Sequence, residues 1–151
     1  MPRPVRLLYD FLNIKDYIFK FEGDYHCFDE SYPLNFSYFG SQWHSIKEAY
    51  DNLVESNFND SRKIHLMGEI IYTCFSQNES QAKILKSTEE IWLEKKVTNH
   101  DNFWHNCSCK ECFLEESTNY YGRLLMEVRD RLIWEGKREK VNKKRWHQRY
   151  F

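Results

Sequence analysis

The sequence predicts an α+β domain, mostly helical, with one small sheet. Three observations predict it. Short, aromatic, alternating runs lie ahead of Ser45; stretches after Ser45 carry apolar residues at helical spacing; and one alternating run, residues 90–97, returns to strand periodicity between helices. Strands first and helices after, with one strand between them, describe segregated α and β elements rather than an alternating βαβ chain. A chain of 151 residues sustains one proper core and not two.

Residues 1–16 form a proline-punctuated arm, and residues 5–19 fit either a short helix or an extended lead-in. Tyr17, Ile18, Phe19, Lys20 and Phe21 alternate and are aromatic, which favours a strand. Glu22, Gly23 and Asp24 signal a turn. Residues 25–28 fit a second short strand that the Asp29-Glu30-Ser31-Tyr32-Pro33 run breaks. Phe36 and Tyr38 alternate toward Gly40 and Ser41, and residues 42–44 return as a hairpin partner. Ser45 with Glu48 three residues on is a capping box. Ile46, Ala49, Tyr50 and Leu53 then fall on one helical stripe, with Lys47 and Asp51 on its flank and Glu48 on the opposite side.

Residues 57–60 read as a loop. Residues 62–75 read as a helix whose apolar face is Ile64, Met67, Ile70, Ile71, Cys74 and Phe75, and residues 80–86 as a shorter one. Ile91, Leu93 and Val97 alternate with charged residues, so 90–97 reads as a strand. A further helix starts at Asn119-Tyr120-Tyr121-Gly122 and runs to Leu132, with Leu124, Leu125, Val128 and Leu132 in the core. After it the chain turns basic: residues 135–151 carry seven Lys and Arg against two Glu, closed by Trp146, Tyr150 and Phe151. The organisation is an arm at 1–16, one domain at 17–134 and a basic aromatic tail at 135–151.

Composition narrows the function. Hydrophobic residues at 41% and aromatics at 17% describe a globular chain. A net charge of −1 argues against general coating of nucleic acid and leaves room for a local patch. The apolar runs are only a few residues long, so no membrane span is expected. No leader pattern follows the N-terminus, and five cysteines without framework spacing point to reduced thiols in a cytoplasm.

Chemistry concentrates in residues 101–129. Asp101 stands just ahead of Phe103 and Trp104, an acid beside a stacking surface; an Asp turn before two core aromatics accounts for the same residues. Cys107, Cys109 and Cys112, with His100 or His105, offer four donors of the type zinc takes; loop thiols without metal are the alternative. Asn119 and Gly122 at a helix start suit an anion through free N–H groups, or else cap the helix and let it approach a sheet. Arg129, at the edge of the core stripe, fits a ligand clamp or a structural ion pair. The basic tail fits a nucleic-acid backbone with Trp146 or Tyr150 stacking, or a solvated terminus.

Four blocks together resemble the NADAR superfamily of N-glycosidases. FEGDYHCFDESYPLNFSYFGSQWHSIKEAY at 21–50 resembles its opening block, which runs from Phe-x-Gly-x-Tyr through Ser-Asn-Phe-Tyr-Pro to Ser-Val-Glu-His-Ala-Tyr-Gln. MGEIIYTCFSQN at 67–78 is similar to its Ala-Lys-Phe-x-Gln-Asn helix. LKSTEEIWLEKKVTNHDNFWHN at 85–106 is similar to its Thr-x-x-x-x-Leu-Val-Glu and Asp-x-x-Trp-Gly block. NYYGRLLMEVRDRL at 119–132 is similar to Asn-x-Leu-Gly-x-Leu-Leu-Met-x-Val-Arg. The Cys-x-Cys-x-x-Cys insert resembles one carried by a subset of the family, often in phages, which would place the protein in a host cytoplasm.

The resemblance implies one compact α+β domain and hydrolysis of a ribose–base N-glycosidic bond without a required cofactor. The implied substrates are riboflavin-pathway ribosyl intermediates or ADP-ribosyl-guanine in DNA. A carboxylate would stabilise an oxocarbenium-like centre while water attacks. The implied site is Asp101 and Glu48 as acids, Trp104 as a stacking wall, and Asn119, Gly122 and Arg129 on ribose or phosphate. The family's active-site Glu falls on Lys47, its His on Glu48 and its Gln on Asp51. Asp29-Glu30-Ser31 stand for Ser-Asn-Phe, His105 for Gly and Cys74 for Lys. Exchanging an acid for Lys47 leaves two further readings open: a non-catalytic binder of ADP-ribose or modified nucleic acid, and an interaction protein stabilised by a structural zinc.

Overall fold

The computed structural model describes residues 16–112 and 114–150, with the backbone alone for Tyr150. The readings of residues 1–15, including the helix-or-extended choice, and of Phe151 lie outside the described residues. The order is β1 (Tyr17–Ile18), a 3-10 helix (Gly23–Phe28), β2 (Phe36–Tyr38), β3 (Ser41–Trp43), α1 (Ile46–Leu53), α2 (Asp60–Ser76), α3 (Glu79–Ser87), β4 (Trp92–Leu93), β5 (Lys96–Val97), β6 (Asn106–Cys107) and α4 (Tyr120–Tyr150). The architecture is α+β, as the order of periodicities predicts.

The strands are shorter than the alternation predicts and form three two-stranded pairs instead of one sheet. β1 pairs with β4 in parallel, β2 with β3 antiparallel, and β5 with β6 in parallel. The run at 90–97 breaks in two because it changes partners midway, leaving Glu94 and Lys95 between β4 and β5. Residues 25–28 are helical, not a strand: Gly23 takes φ +57°, a left-handed value open to glycine, and turns the chain into the 3-10 helix that buries Cys27 and Phe28. α4 continues well past Leu132. Its apolar stripe ends there, but the following Lys, Arg, Glu and Gln are good helix formers and carry the helix on as an exposed extension.

Caps set the starts of the first two α-helices. Ser45 Oγ accepts the Glu48 N–H at 3.0 Å, and Glu48 Oε2 reaches one residue past the cap to accept the His44 N–H at 2.7 Å, a variant of the capping box at the head of α1. Asn59 Oδ1 accepts the Arg62 N–H at 2.9 Å at the head of α2. The core lies between α2 and α4: Met67, Ile70, Ile71, Cys74 and Phe75 meet Tyr121, Leu124, Leu125 and Val128, with Phe21, Phe28, Phe36, Ile46 and Leu93 closing the sides. A side chain such as Ile70 or Phe75, wholly removed from water, contributes about 1.5–3 kcal/mol. Among the described residues no helix is long and apolar enough to cross a membrane.

α4 docks on β4 by an unusually tight seam. A Cβ on Gly122 would sit 2.0 Å from the Leu93 carbonyl oxygen, so only glycine fits. Asn119, left-handed at φ 47°, donates its side-chain amide to that same carbonyl at 3.0 Å. Arg129 Nη1 donates to the Ile91 carbonyl at 2.6 Å and to Thr88 Oγ1 at 3.2 Å. Tyr121 Oη donates to the Phe28 carbonyl at 2.6 Å. The seam fixes β4, and with it the Glu94–Lys95 break that leads into the site.

Candidate functional site

The polar turn that breaks the 3-10 helix supplies the first two groups. Asp29 Oδ1 accepts the Ser31 N–H at 2.9 Å and its hydroxyl at 2.6 Å, which leaves Oδ2 for Lys95 Nζ at 2.8 Å. Glu30, next in the chain, meets Lys95 Nζ at 3.4 Å and His105 Nε2 at 2.8 Å. A carboxylate accepts, so Nε2 carries the shared proton. The Lys47 N–H donates to the Glu30 carbonyl at 2.7 Å, which stitches the start of α1 to this turn.

Burial divides the labour. His105 is 4% exposed and Glu30 is 20% exposed, so the imidazole lies behind the carboxylate and the carboxylate reaches solvent. Burial pushes the Glu30 carboxyl up, but the hydrogen bond from His105 and the charges of His105 and Lys95 outweigh it and hold it below its ordinary value. Burial likewise acts against Asp29, and the bonds from Lys95 and Ser31 bring it below its ordinary value. Burial acts to lower the Lys95 ammonium, yet its bond to Asp29 and the two nearby carboxylates raise it. The result is a half-buried anion held by a cation and an imidazole, drawn from the turn, the β4–β5 break and the start of β6.

Trp104 immediately precedes His105 in the chain. Its ring meets Tyr50 of α1 edge-on at 5.4 Å and Phe103 at 4.7 Å, and it is half-buried. Asp101 Oδ1 accepts the N–H groups of Phe103 and Trp104 at 3.1 and 2.9 Å, so its carboxylate shapes the turn that presents the Trp. Lys47 and Asp51 form an exposed i, i+4 pair at 2.7 Å on the flank of α1. The Lys47 ammonium is raised by its bond to Asp51, with a smaller contribution from Glu30. Glu48 serves the cap described above. Asn119, Gly122 and Arg129 are buried along the α4–β4 seam, where the Asn119 side-chain amide N–H and Arg129 Nη1 donate to main-chain carbonyls while Asn119 Oδ1 and Arg129 Nε are left without a hydrogen-bond partner.

A second cluster forms across the loop between β5 and α4. His100, Cys107, Cys109 and Cys112 bring four donor atoms within 4.8 Å of one another, an arrangement that can hold a metal ion. His105, the other imidazole the sequence offered, turns to Glu30 instead. Burial pushes the Cys107 thiol up, but hydrogen bonds from the Cys109 backbone and thiol outweigh it and bring it down to about 7. Burial, with the neighbouring thiols, pushes Cys112 up to about 12.

Sequence reasoning missed Asp29, Glu30, Lys95 and His105 as a group, since 75 positions separate the central pair. One signal was present: Glu30 and His105 both stand where the chain departs from the NADAR pattern. So does Lys47, whose N–H meets the Glu30 carbonyl. Three departures converge on one corner of the fold.

A scan against protein-family models finds no match, and no curated protein matches the chain. Among solved structures the chain is similar to the E. coli protein YbiA, determined by NMR, with a TM-score of 0.64 and 17% identity over 80% of this chain and 85% of that one. At that identity the likeness is one of fold. The chain has the YbiA-like, NADAR-type α+β fold.

Proposed function

We propose that this protein hydrolyses an N-glycosidic bond between ribose and a base, with Glu30 as the carboxylate of the site. The observation that carries the reading is the Glu30–His105 pair. Where the NADAR pattern has an acid on the first turn of α1, this chain has Lys47; an acid absent from the pattern, Glu30, lies against that same turn and is held ionised. An anion fixed in a half-dry corner suits stabilisation of an oxocarbenium-like centre, because little reorganisation is needed when positive charge develops. Trp104 supplies a stacking edge for a base, and the Lys47–Asp51 pair lies on the flank where phosphates or ribose hydroxyls would pass.

The substrate class we favour is ADP-ribose on a nucleic-acid base. The exposed extension of α4 places Lys137, Arg138, Lys140, Lys143, Lys144, Arg145 and Arg149 along one projecting helix, a charge pattern suited to a phosphate backbone. Arg138 lies over the Trp134 ring at 5.3 Å, a basic aromatic surface of the type that meets single strands. The thiol cluster enters this reading as a structural metal site, zinc being the ion its donors suit, with no part in bond cleavage.

The test is mass spectrometry of an ADP-ribosyl-guanine oligonucleotide incubated with the protein, Glu30→Gln, Asp101→Asn and Lys47→Glu. Release of ADP-ribose by the parent, lowered about 10²-fold or more in Glu30→Gln, is the expected result. Asp101→Asn keeps an oxygen for the turn and is expected to lose much less. A second reading rests on Lys47 itself: a cation where the pattern has its acid fits a binder of ADP-ribosyl groups. Tight binding of the oligonucleotide without release by the parent, together with release by Lys47→Glu, would favour that reading.

A further inference from the structure

We propose that His100, Cys107, Cys109 and Cys112 bind one zinc ion, and that this ion clasps the loop that presents Trp104 and His105 to Glu30. The zinc site stands on its own geometry; only the consequence for Glu30 rests on the reading above.

The donors fit zinc in kind and spacing. His100 Nδ1 lies 3.3 Å from Cys112 Sγ and 3.4 Å from Cys109 Sγ. With Zn–S near ~2.3 Å and Zn–N near ~2.1 Å, a tetrahedral centre separates its nitrogen and sulfur ligands by roughly 3.6 Å. Three sulfurs and one imidazole nitrogen fill such a centre, which is the closed composition of a structural site and not the open one of a catalytic site. Soft thiolates select against magnesium and calcium.

The surroundings of the donors match a metal centre too. The Cys112 N–H points at Cys109 Sγ at 3.4 Å, a bond that stabilises thiolate over thiol. The other imidazole nitrogen of His100, Nε2, lies 3.6 Å from Glu111 Oε2. A carboxylate behind a ligating imidazole fixes its tautomer and orients its metal-facing nitrogen. Cys107 and Cys112 are buried, Cys109 is partly so, and His100 stands at the surface, which gives an ion a path in.

The clasp follows from the order of the chain. His100 and Cys107 are separated by residues 101–106, and that short loop carries the Asp101 turn, Trp104 and His105. β6 is two residues long and pairs with β5 over only two positions; the middle of the loop is tied to the start of α4 by the N–H groups of Thr118, Tyr120 and Tyr121 donating to the carbonyls of residues 102–104, and its two ends are where a metal would add closure. A metal bound at both of its ends closes it, and Cys109 and Cys112 tie the closed loop to the chain that leads into α4.

The experiment uses the full chain, expressed with zinc in the medium. Inductively coupled plasma mass spectrometry is expected to give about one zinc per chain in the parent and well under half of that in Cys109→Ser and His100→Asn. Replacement by cobalt is expected to give the strong visible bands and thiolate charge-transfer absorption of a tetrahedral sulfur-rich site. No stoichiometric metal in the parent, unchanged retention in both variants, or thiols lost to a disulfide in place of metal would each overturn the site. The clasp is read separately on the parent, by NMR of the imidazoles with His105 assigned through His105→Gln. Removing the ion with a chelator is expected to shift the His105 resonances while helical circular dichroism stays near its starting value. Zinc bound and removed with His105 unmoved would overturn the clasp and leave the metal site standing. Neither readout requires turnover, so loss of the hydrolase reading leaves both intact.

Discussion

The α4–β4 seam and the Glu30 corner both bury polar side chains, and they solve the problem in opposite ways. Along the seam, Asn119, Tyr121 and Arg129 each donate to a main-chain carbonyl of a distant segment: Leu93, Phe28 and Ile91. Main-chain acceptors do not titrate and move only with the backbone. At the corner, Asp29, Glu30, Lys95 and His105 are joined side chain to side chain, so the acceptors there are carboxylates and not main-chain carbonyls. The seam is therefore built to be indifferent to pH and sensitive to substitution. The corner responds to charge, and it keeps one of its acids, Glu30, partly open to solvent.

The largest effect tests the seam. Gly122→Ala places a Cβ 2.0 Å from the Leu93 oxygen, backbone that cannot step aside without moving β4. A loss above about 4 kcal/mol, or no folded protein at all, is expected from urea denaturation. Tyr121→Phe removes only the donor to the Phe28 carbonyl and is expected to cost about 1–3 kcal/mol, since the buried acceptor is left unmatched. Wild-type stability in Gly122→Ala would mean that α4 docks by its apolar stripe alone.

The intermediate effect tests the corner. Glu30 and Asp29 have folded-state values below their ordinary 4.5 and 3.8. A lowered acid stabilises the fold fully above its unfolded value and loses that contribution as pH falls through the folded one. Lys95 is raised above 10.5 and behaves in mirror image, its contribution present below that value and lost as pH rises through the folded one. Stability from this group should thus be flat near neutrality and decline on acidification below about pH 4.5. Glu30→Gln is expected to flatten the acid decline and to cost about 1.5–3 kcal/mol at neutral pH, the range for a hydrogen bond to a charged group. Thermal melts across pH check both, and an unchanged acid limb in Glu30→Gln would remove the corner as the titrating element.

The same contrast explains what was legible in the sequence. The seam residues announce themselves: Leu124, Leu125 and Val128 repeat at helical spacing, and a glycine inside that pattern signals close approach. Ser45 caps α1 as its spacing to Glu48 implies, with Glu48 reaching back to the His44 N–H in place of that of Ser45. Strands of two or three residues are too short to show period-two alternation, so the break at Glu94 and Lys95 was hidden inside one apparent strand. The corner was hidden for another reason. Glu30 and His105 meet across 75 positions, and no local periodicity encodes such a contact. The thiol cluster was half legible: the three cysteines are close in sequence, while the choice of His100 over His105 depended on where the loop turns.

The smallest effect sharpens the comparison most, because it concerns a charged pair beside the corner that shares none of its burial. Lys47 and Asp51 meet at 2.7 Å, but their side chains are 57% and 52% exposed and one helical turn apart. Water competes for both charges and holding two long side chains costs entropy, so Lys47→Ala is expected to change stability by no more than about 0.5 kcal/mol. Lys47→Glu is the informative partner. It sets a second acid on the turn of α1 whose N–H binds the Glu30 carbonyl, and like charge nearby disfavours ionisation of Glu30. The acid decline of stability should then begin at higher pH than in the parent, while neutral-pH stability changes by only a few tenths of a kcal/mol. If Lys47→Ala instead cost well over about 1 kcal/mol, the exposed pair would be holding α1 to the corner, and the division between a rigid seam and a responsive corner would have to be redrawn to include the helix between them.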